Sequence, residues 1–282
     1  MTSIQNNKDH APFIGPFSNS LKNISKSNLK KCLKKRKVIV GTGSSKYIYK
    51  LTWRDSSAMI KNEFRAAKLN GNSEMWCDLG HYMKPLVQIG SFIVARSPKL
   101  IQKGIDKSNV IELTELLCDR MRKYRYDFWW ETLDQSSFKI VWESLDNTER
   151  LLYKKYLNDM VLPVTSAHGD LVYTNILFNH NNTIKIVDWE YYRPHGSVLT
   201  DLLRLHFWYF RQELSSSEKK ISPFDVSMMM EYRILENLSS YLKLDEKKLC
   251  LLAGIANASM PVLNLPPNQR AVRLSQGLSE VR

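Results

Sequence analysis

The chain has 282 residues, of which 43% are hydrophobic and 11% aromatic, and its formal net charge is +13. This apolar content is enough for the core of one or two domains, and no apolar run reaches the length of a membrane span. The four cysteines show neither the spacing of a zinc site nor the density of a disulfide framework, and the polar N-terminus lacks the apolar core of a signal peptide. We therefore expect a cytoplasmic protein with reduced thiols.

Positive charge is concentrated in a basic N-terminal segment, residues 1–37. Residues 1–40 contain nine lysines and arginines and one acidic residue, and residues 30–37 read Lys-Lys-Cys-Leu-Lys-Lys-Arg-Lys. Such a run could contact an anionic inner membrane face, a nucleic acid or an acidic substrate, or it could be a solvated lead into the first strand. Nucleic acid is the least favoured partner, because no nucleic-acid-binding module is recognisable in the sequence.

Strands are predicted to dominate the next part of the chain. A strand, a glycine turn and a second strand are predicted over 38–51, and the glycines would let the backbone approach a phosphate group closely. A short amphipathic helix is predicted over 62–69, and two strands over 85–98 with a turn at Gly90. Beyond residue 107 the pattern is mostly helical, with helices predicted over 111–118, 151–157, 202–210, 224–242 and 245–258.

A β-hairpin is predicted in the middle of this helical region. Residues 174–178 and 183–187 are rich in strand-forming residues, and an asparagine-rich turn joins them. If the hairpin is centred between residues 181 and 182, Asn175 faces Asp188, and Ile176 faces Val187. Paired residues lie about 4.5–5.5 Å apart, so Asn175 and Asp188 would converge at the open end of the hairpin.

The residue types at this end indicate phosphoryl transfer with a divalent metal. Mg²⁺ prefers oxygen ligands such as the carboxylate of Asp188 and the amide oxygen of Asn175. Asp170, just upstream in the sequence His168-Gly169-Asp170, could accept a proton from an attacking hydroxyl. An isolated His-Gly-Asp is usually only a turn, but the ordered set is far more specific.

The ordered set resembles the motifs of the aminoglycoside phosphotransferase and choline kinase superfamily. The resemblance covers residues 164–205 and rests on His168-Gly169-Asp170-Leu171, Asn175-Ile176-Leu177, Ile186-Val187-Asp188-Trp189-Glu190, Gly196 and Asp201-Leu202. It implies a two-lobed, protein-kinase-like α+β fold. A small N-terminal lobe, 38–97, would hold an antiparallel sheet with one helix, and a larger, mostly helical C-terminal lobe would span 98–282.

The resemblance also implies roles for the residues of the larger lobe. Asp170 would be the catalytic base, and Asn175 and Asp188 would bind Mg²⁺. His168 would be a structural residue of the catalytic loop, and Asp201 would brace that loop from the start of the next helix.

In the smaller lobe, the resemblance implies a nucleotide-binding surface for ATP. Glu63 is similar to the helix glutamate that pairs with the phosphate-binding lysine. Lys50 is the preferred lysine, although it comes early after the glycine turn. Lys61 is better spaced from that turn, but it is two residues from Glu63, so their side chains would diverge on a helix. The remaining nucleotide-binding residues implied are Gly41, Gly43 and Ser44 of the turn, and the backbone of Ala95 and Ser97 near adenine.

The predicted function is an ATP- and Mg²⁺-dependent kinase that phosphorylates a hydroxyl of a small molecule. The string Asp188-Trp189-Glu190-Tyr191 is closest to choline- and thiamine-kinase-like members, whereas the basic N-terminal segment would suit a sugar of a surface polysaccharide or lipopolysaccharide precursor. An aminoglycoside acceptor ranks lower, because acidic residues are scattered in the C-terminal region. A non-catalytic kinase-like binding protein is the remaining alternative.

Overall fold

The protein is described here by a computed structural model, which defines residues 26–35, 37–40, 46–71, 73–215, 238 and 245–259. The chain divides into two compact units. The first comprises the chain up to Phe64 together with Met83–Lys99, and the second comprises Arg65–Tyr82 and the chain from Leu100 onward. Among the described helices, none has both the length and the apolar character needed to cross a membrane.

The first unit is built on an antiparallel sheet of four strands in the order β1-β2-β4-β3. Helix α1 precedes the sheet, and helix α2 begins directly after β2. The elements are α1 (Lys26–Lys35), β1 (Lys37–Val40), β2 (Tyr47–Thr52), α2 (Ser56–Asn70), β3 (Lys84–Ile89) and β4 (Phe92–Pro98). The part of α2 after Phe64 belongs to the second unit.

This sheet carries apolar side chains on both faces. Successive residues of a strand point to opposite faces, so Tyr49 and Leu51 pack with Val94 on one face. Ile93 and Ala95 pack on the other face, against the buried part of α2. The predicted turn at Gly90 is present with a φ of +57°, which glycine adopts without strain.

Helix α2 begins six residues earlier than the sequence pattern predicted. Arg54 adopts a left-handed conformation with a φ of +57°, and its carbonyl accepts a hydrogen bond from the Ser57 N–H at 2.9 Å. The chain turns there, and the first turn of the helix brings Ile60, which is fully buried, into the core. The polar residues 54–57, which are typical of a turn, hid this start.

In its described residues, the second unit is mostly helical and contains three small antiparallel strand pairs, β5–β6, β7–β10 and β8–β9. Asp106, Asp134 and Asp146 cap the N-termini of α3, α4 and α5 with their side chains. The elements are α3 (Lys107–Met121), β5 (Tyr126–Phe128), α4 (Gln135–Ser144), α5 (Asn147–Leu157), β6 (Val161–Pro163), β7 (Thr165–Ala167), β8 (Ile176–Phe178), β9 (Ile184–Ile186), β10 (Arg193–Gly196), α6 (Val198–Ser215) and α7 (Glu246–Ala258).

Most of the predicted helices of this unit are present. The predictions over 111–118, 151–157, 202–210 and 245–258 correspond to α3, α5, α6 and α7. The prediction over 224–242 lies outside the described residues apart from position 238, and α4 was not predicted. Helix α6 runs through the core, with Leu202, Leu203 and Leu205 fully buried. The predicted α+β class, with an antiparallel sheet followed by a helical region, is confirmed.

Candidate active site

The β8–β9 hairpin is shifted by one residue from the predicted register. Ile176 pairs with Ile186, not with Val187, and Phe178 pairs with Ile184. The turn has three residues, closed by the N–H of Asn179 donating to the carbonyl of Thr183 at 3.0 Å. Its last residue, Asn182, is left-handed with a φ of +58°, as three-residue hairpin loops require. The predicted pairing of Asn175 with Asp188 was therefore wrong.

Asn175 lies in a 3-10 turn, Tyr173–Asn175, that enters β8. Its carbonyl accepts from the N–H of Val187 at 3.0 Å, and its side-chain Nδ2 donates to the carbonyl of Asp170 at 2.9 Å. The amide nitrogen is thus used within the loop, whereas Oδ1 accepts no hydrogen bond from the described residues. This oxygen is of the type that a hard cation binds.

Asp188 follows β9 in a left-handed conformation, with φ +67° and ψ +56°. Aspartate tolerates this region better than most residues, and the neighbouring tryptophan anchors the turn. Trp189 is fully buried, its indole nitrogen donates to the carbonyl of Ile186 at 2.9 Å, and its ring lies 4.6 Å from that of His168. The backbone of Asp188 is therefore held between a strand end and a packed aromatic side chain.

His168 connects the loop that contains Asp170 to the end of β9. Its Nε2 lies 2.9 Å from the carbonyl of Val187, which can only accept, so Nε2 carries the proton. Nδ1 then accepts from the N–H of Asp170 at 3.2 Å. Burial lowers the pKa of His168, which is consistent with a neutral ring. The imidazole holds Asp170 and Asp188 on adjacent loops.

Asp201, at the start of α6, holds the backbone of the same loop. Its two carboxylate oxygens accept from the N–H of His168 at 2.6 Å and from the N–H of Gly169 at 2.8 Å. Burial raises the pKa of Asp201 to about 6, and the charge of Arg193 opposes this increase. A carboxylate that accepts from two consecutive amides determines the local path of the chain.

Gly169 is required at its position by close packing. Its φ is +82°, and a Cβ built there would lie 2.2 Å from the carbonyl oxygen of Tyr191. No side chain fits without a backbone shift, so the glycine between His168 and Asp170 permits the tight loop.

Arg204 is a residue of this network that the motif did not reveal. Its Nε donates to Oδ1 of Asp170 at 2.9 Å, and its Nη2 donates to the same oxygen. Burial raises the pKa of Asp170, and the Arg204 guanidinium opposes this effect. The available signal was a charged residue one turn after Asp201 in the mostly apolar stretch 202–210, because residues three apart share a helix face.

The structure therefore brings five of the predicted residues of the second unit into one network. His168, Asp170, Asn175 and Asp201 are linked by hydrogen bonds, and the charge of Asp188 acts on both His168 and Asp170. The amide oxygen of Asn175 and the carboxylate of Asp188 are ligand types that fit Mg²⁺.

In the first unit, Lys50 and Glu63 form a buried ion pair. Nζ of Lys50 lies 2.9 Å from Oε2 of Glu63, and both side chains are almost fully buried. Lys50 pairs with Ala95 across β2 and β4, so its side chain lies on the sheet face that packs against α2. The N–H of Met83 donates to Oε1 of Glu63 at 3.2 Å. Lys61 is exposed on α2.

The other residues of this unit that are predicted to bind nucleotide belong to β4 and to the glycine turn. Ala95 and Ser97 are buried on β4, where Ser97 pairs with Ile48. The turn residues Gly41, Gly43 and Ser44 lie outside the described residues. Their roles, like those of Lys50 and Glu63, stay predictions.

No protein-family model matches the sequence, and no curated protein does. Among solved structures, an aminoglycoside phosphotransferase from Streptomyces rimosus matches 79% of this chain and 90% of its own, at 11% identity and a TM-score of 0.51. The chain has the aminoglycoside phosphotransferase fold. The resemblance inferred from the motifs is thus confirmed at the level of the fold.

Two further solved structures are similar over most of their length. A choline kinase from Streptococcus pneumoniae is 14% identical, with a TM-score of 0.45 over 87% of this chain and 90% of its own. An ethanolamine kinase from Plasmodium vivax is 13% identical, with a TM-score of 0.45 over 86% of this chain and 78% of its own.

Proposed function

We propose that the chain is an ATP- and Mg²⁺-dependent kinase that transfers the γ-phosphoryl group to a hydroxyl of a small molecule. The network of Asp170, Asn175, His168 and Asp201, with Asp188 beside it, is the observation that carries this proposal. It presents a proton acceptor next to two hard oxygen donors, which is the combination that phosphoryl transfer requires. A binding protein would have no use for all of these groups.

Each residue has a defined task in the proposed reaction. Asp170 accepts the proton of the acceptor hydroxyl while the hydroxyl oxygen forms a bond to the γ-phosphorus. The bond from that phosphorus to the β–γ bridging oxygen breaks, and ADP leaves. Asn175 and Asp188 would hold Mg²⁺, which neutralises phosphate charge when bound. Lys50, oriented by Glu63, would hold phosphate oxygens of ATP.

The acceptor is proposed to be a choline- or thiamine-like alcohol, or a sugar of a cell-surface polysaccharide or lipopolysaccharide precursor. An aminoglycoside is the second candidate, since the fold is shared with an aminoglycoside phosphotransferase. The exposed lysines of α1, Lys30, Lys31, Lys34 and Lys35, support a further proposal, that the basic segment contacts an anionic membrane at the cytoplasmic face.

Thermal unfolding with and without nucleotide tests the kinase proposal. We expect Mg²⁺ with ATP to raise the melting temperature, because a ligand that binds only the folded state stabilises it. Asp188→Ala should abolish the Mg²⁺-dependent part of this shift. An unaltered shift in the variant, or salt-sensitive DNA binding without any nucleotide effect, would favour a non-catalytic function.

A further inference from the structure

A permanent cation lies against the proposed catalytic base. Arg204 donates two hydrogen bonds to one oxygen of Asp170, and its side chain is only 4% exposed. Its guanidinium also lies over the ring of Trp208, 5.7 Å from the centroid. An aspartate and an arginine in such contact are neutral together, so Asp170 presents no net negative charge to an incoming acceptor.

Each partner of this pair retains a group that can meet the acceptor. Within the described part of the chain, Oδ2 of Asp170 accepts no hydrogen bond and Nη1 of Arg204 donates none. Oδ2 can accept the proton of the reacting hydroxyl. Nη1 is only a donor, so its complement is a second oxygen of the acceptor, whether of a hydroxyl, a carboxylate or a phosphate.

We propose that Arg204 selects the acceptor of this chain by its charge. The acceptor is an oxygen-rich neutral or anionic alcohol, such as a sugar or polyol, with a second oxygen beside the reacting hydroxyl. It is not an alcohol with a cationic nitrogen beside that hydroxyl. This inference rests on the proposed kinase function and narrows its substrate class, because it keeps the sugar among the acceptors proposed above and excludes the choline-like alcohol.

The reason is the distance at which a cationic acceptor would have to bind. In choline and ethanolamine, only two carbons separate the hydroxyl from the charged nitrogen. A hydroxyl within about 2.6–3.2 Å of Asp170 therefore brings that nitrogen close to the Arg204 guanidinium. Like charges repel more strongly in a partly buried site than in water, and Asp170 no longer offsets the charge of Arg204 once it has taken the proton of the acceptor.

Asp188 does not reverse this conclusion. Its charge acts on Asp170, and it could in principle attract a cation. In the proposed function, however, Asp188 would hold Mg²⁺, and the charge of the ion would offset that of the carboxylate. Once the proton has moved to Asp170, the charge of Arg204 is no longer compensated, and it is the nearest such charge to the acceptor.

The test compares acceptors that match in shape and differ in charge. Choline is compared with its uncharged carbon isostere, 3,3-dimethylbutan-1-ol, and glucosamine is compared with glucose and glucuronate. ADP formation by the full chain with Mg²⁺ and ATP is measured above the rate without acceptor. We expect kcat/KM for the cationic member to be at least about tenfold below that of its neutral or anionic counterpart.

Variants of Arg204 test whether its charge causes the preference for neutral or anionic acceptors. Arg204→Met should reduce the ratio between matched acceptors to within about twofold, whereas Arg204→Lys, which keeps the charge, should retain it. Arg120→Met is the matched control, because Arg120 pairs with Asp78 and makes no hydrogen bond to Asp170. Because both acceptors are assayed with the same variant, a general loss of activity does not change the ratio of their kcat/KM values. Should Arg204→Met not fold, Arg204→Gln provides the same comparison.

The outcomes separate this inference from the kinase proposal. A cationic acceptor used as well as its neutral counterpart overturns the inference, and so does a ratio that loss of the Arg204 charge leaves unchanged. A chain that Mg²⁺ and ATP stabilise, but that uses none of the oxygen-rich acceptors, also contradicts it. Failure of Mg²⁺ and ATP to stabilise the chain refutes the proposed function itself.

Discussion

The ammonium group of Lys50 lies 2.9 Å from the carboxylate of Glu63, although 13 positions separate them in the sequence. One residue comes from the second strand of the sheet and the other from the helix that follows. Removing one member of a buried ion pair typically costs about 3–5 kcal/mol, because the other charge loses its compensation. This pair can therefore be tested both for stability and for nucleotide binding.

Lys50→Met should weaken ATP binding at least about tenfold, since a hydrogen bond to a charged group contributes about 1.5–3 kcal/mol. It should also lower the free energy of unfolding. Adding Glu63→Gln should recover part of the stability without recovering ATP affinity. Calorimetric titration with Mg²⁺ and ATP, beside chemical denaturation, measures both effects. Lys61→Met, on the exposed face of α2, is the control, and an equal loss of affinity there would make Lys61 the phosphate-binding residue.

Asp170→Asn should lower the turnover number by about 10²–10⁴-fold, the usual contribution of a general base. The affinity for Mg²⁺ and ATP should change little, because Asp170 is not one of the proposed metal ligands. Steady-state ADP formation and nucleotide titration distinguish the two quantities. Asp188→Asn should instead weaken the Mg²⁺-dependent binding of nucleotide. If Asp170→Asn lost nucleotide binding and kept its turnover, the roles would have to be reassigned.

Gly169→Ala should destabilise the protein by about 1–3 kcal/mol, the range typical of a strained backbone position. Both the φ of +82° and the contact with the Tyr191 carbonyl oppose a side chain. Gly104→Ala is the matched control, since a Cβ there meets nothing within 4 Å. Equilibrium unfolding in urea provides the comparison. Two variants of equal stability would show that the loop adapts without cost.

Asp201 makes stability depend on pH in a defined direction. Burial raises its pKa in the folded state to about 6, above the value of about 3.9 in an unfolded chain. Its contribution is therefore fully present below about pH 4 and is lost as the pH rises through about 6. Relative to Asp201→Asn, the unaltered protein should lose stability between these pH values. Urea unfolding of both proteins at several pH values tests this, and a constant difference would exclude the raised pKa.

The basic N-terminal segment should bind anionic lipid, because each lysine near such a surface contributes about 1 kcal/mol. Removing residues 1–37 should reduce co-sedimentation with vesicles that contain phosphatidylserine, and added salt should have the same effect. Vesicles of phosphatidylcholine alone serve as the control. Equal binding of the shortened and full chains to anionic vesicles would rule out this role.

Local patterns were sufficient for several features of this protein. The motif of His168, Asp170, Asn175, Asp188 and Asp201 could be recognised because these residues lie within one short stretch. Turns and strand ends determine which groups are near neighbours there. The two strands around Gly90 and the amphipathic helices were predictable for the same reason. Each depends on the periodicity of a few consecutive residues.

Contacts between distant segments decided the rest. The choice between Lys50 and Lys61 as the partner of Glu63 depended on the sheet face that packs against α2. The hairpin register was missed for a local reason, the left-handed Asn182, whose conformation shifts every pair by one residue. Arg204 contacts Asp170 only because α6 runs through the core beneath the loop. A side chain on a buried helix can contact a residue 34 positions away, and no local periodicity encodes that contact.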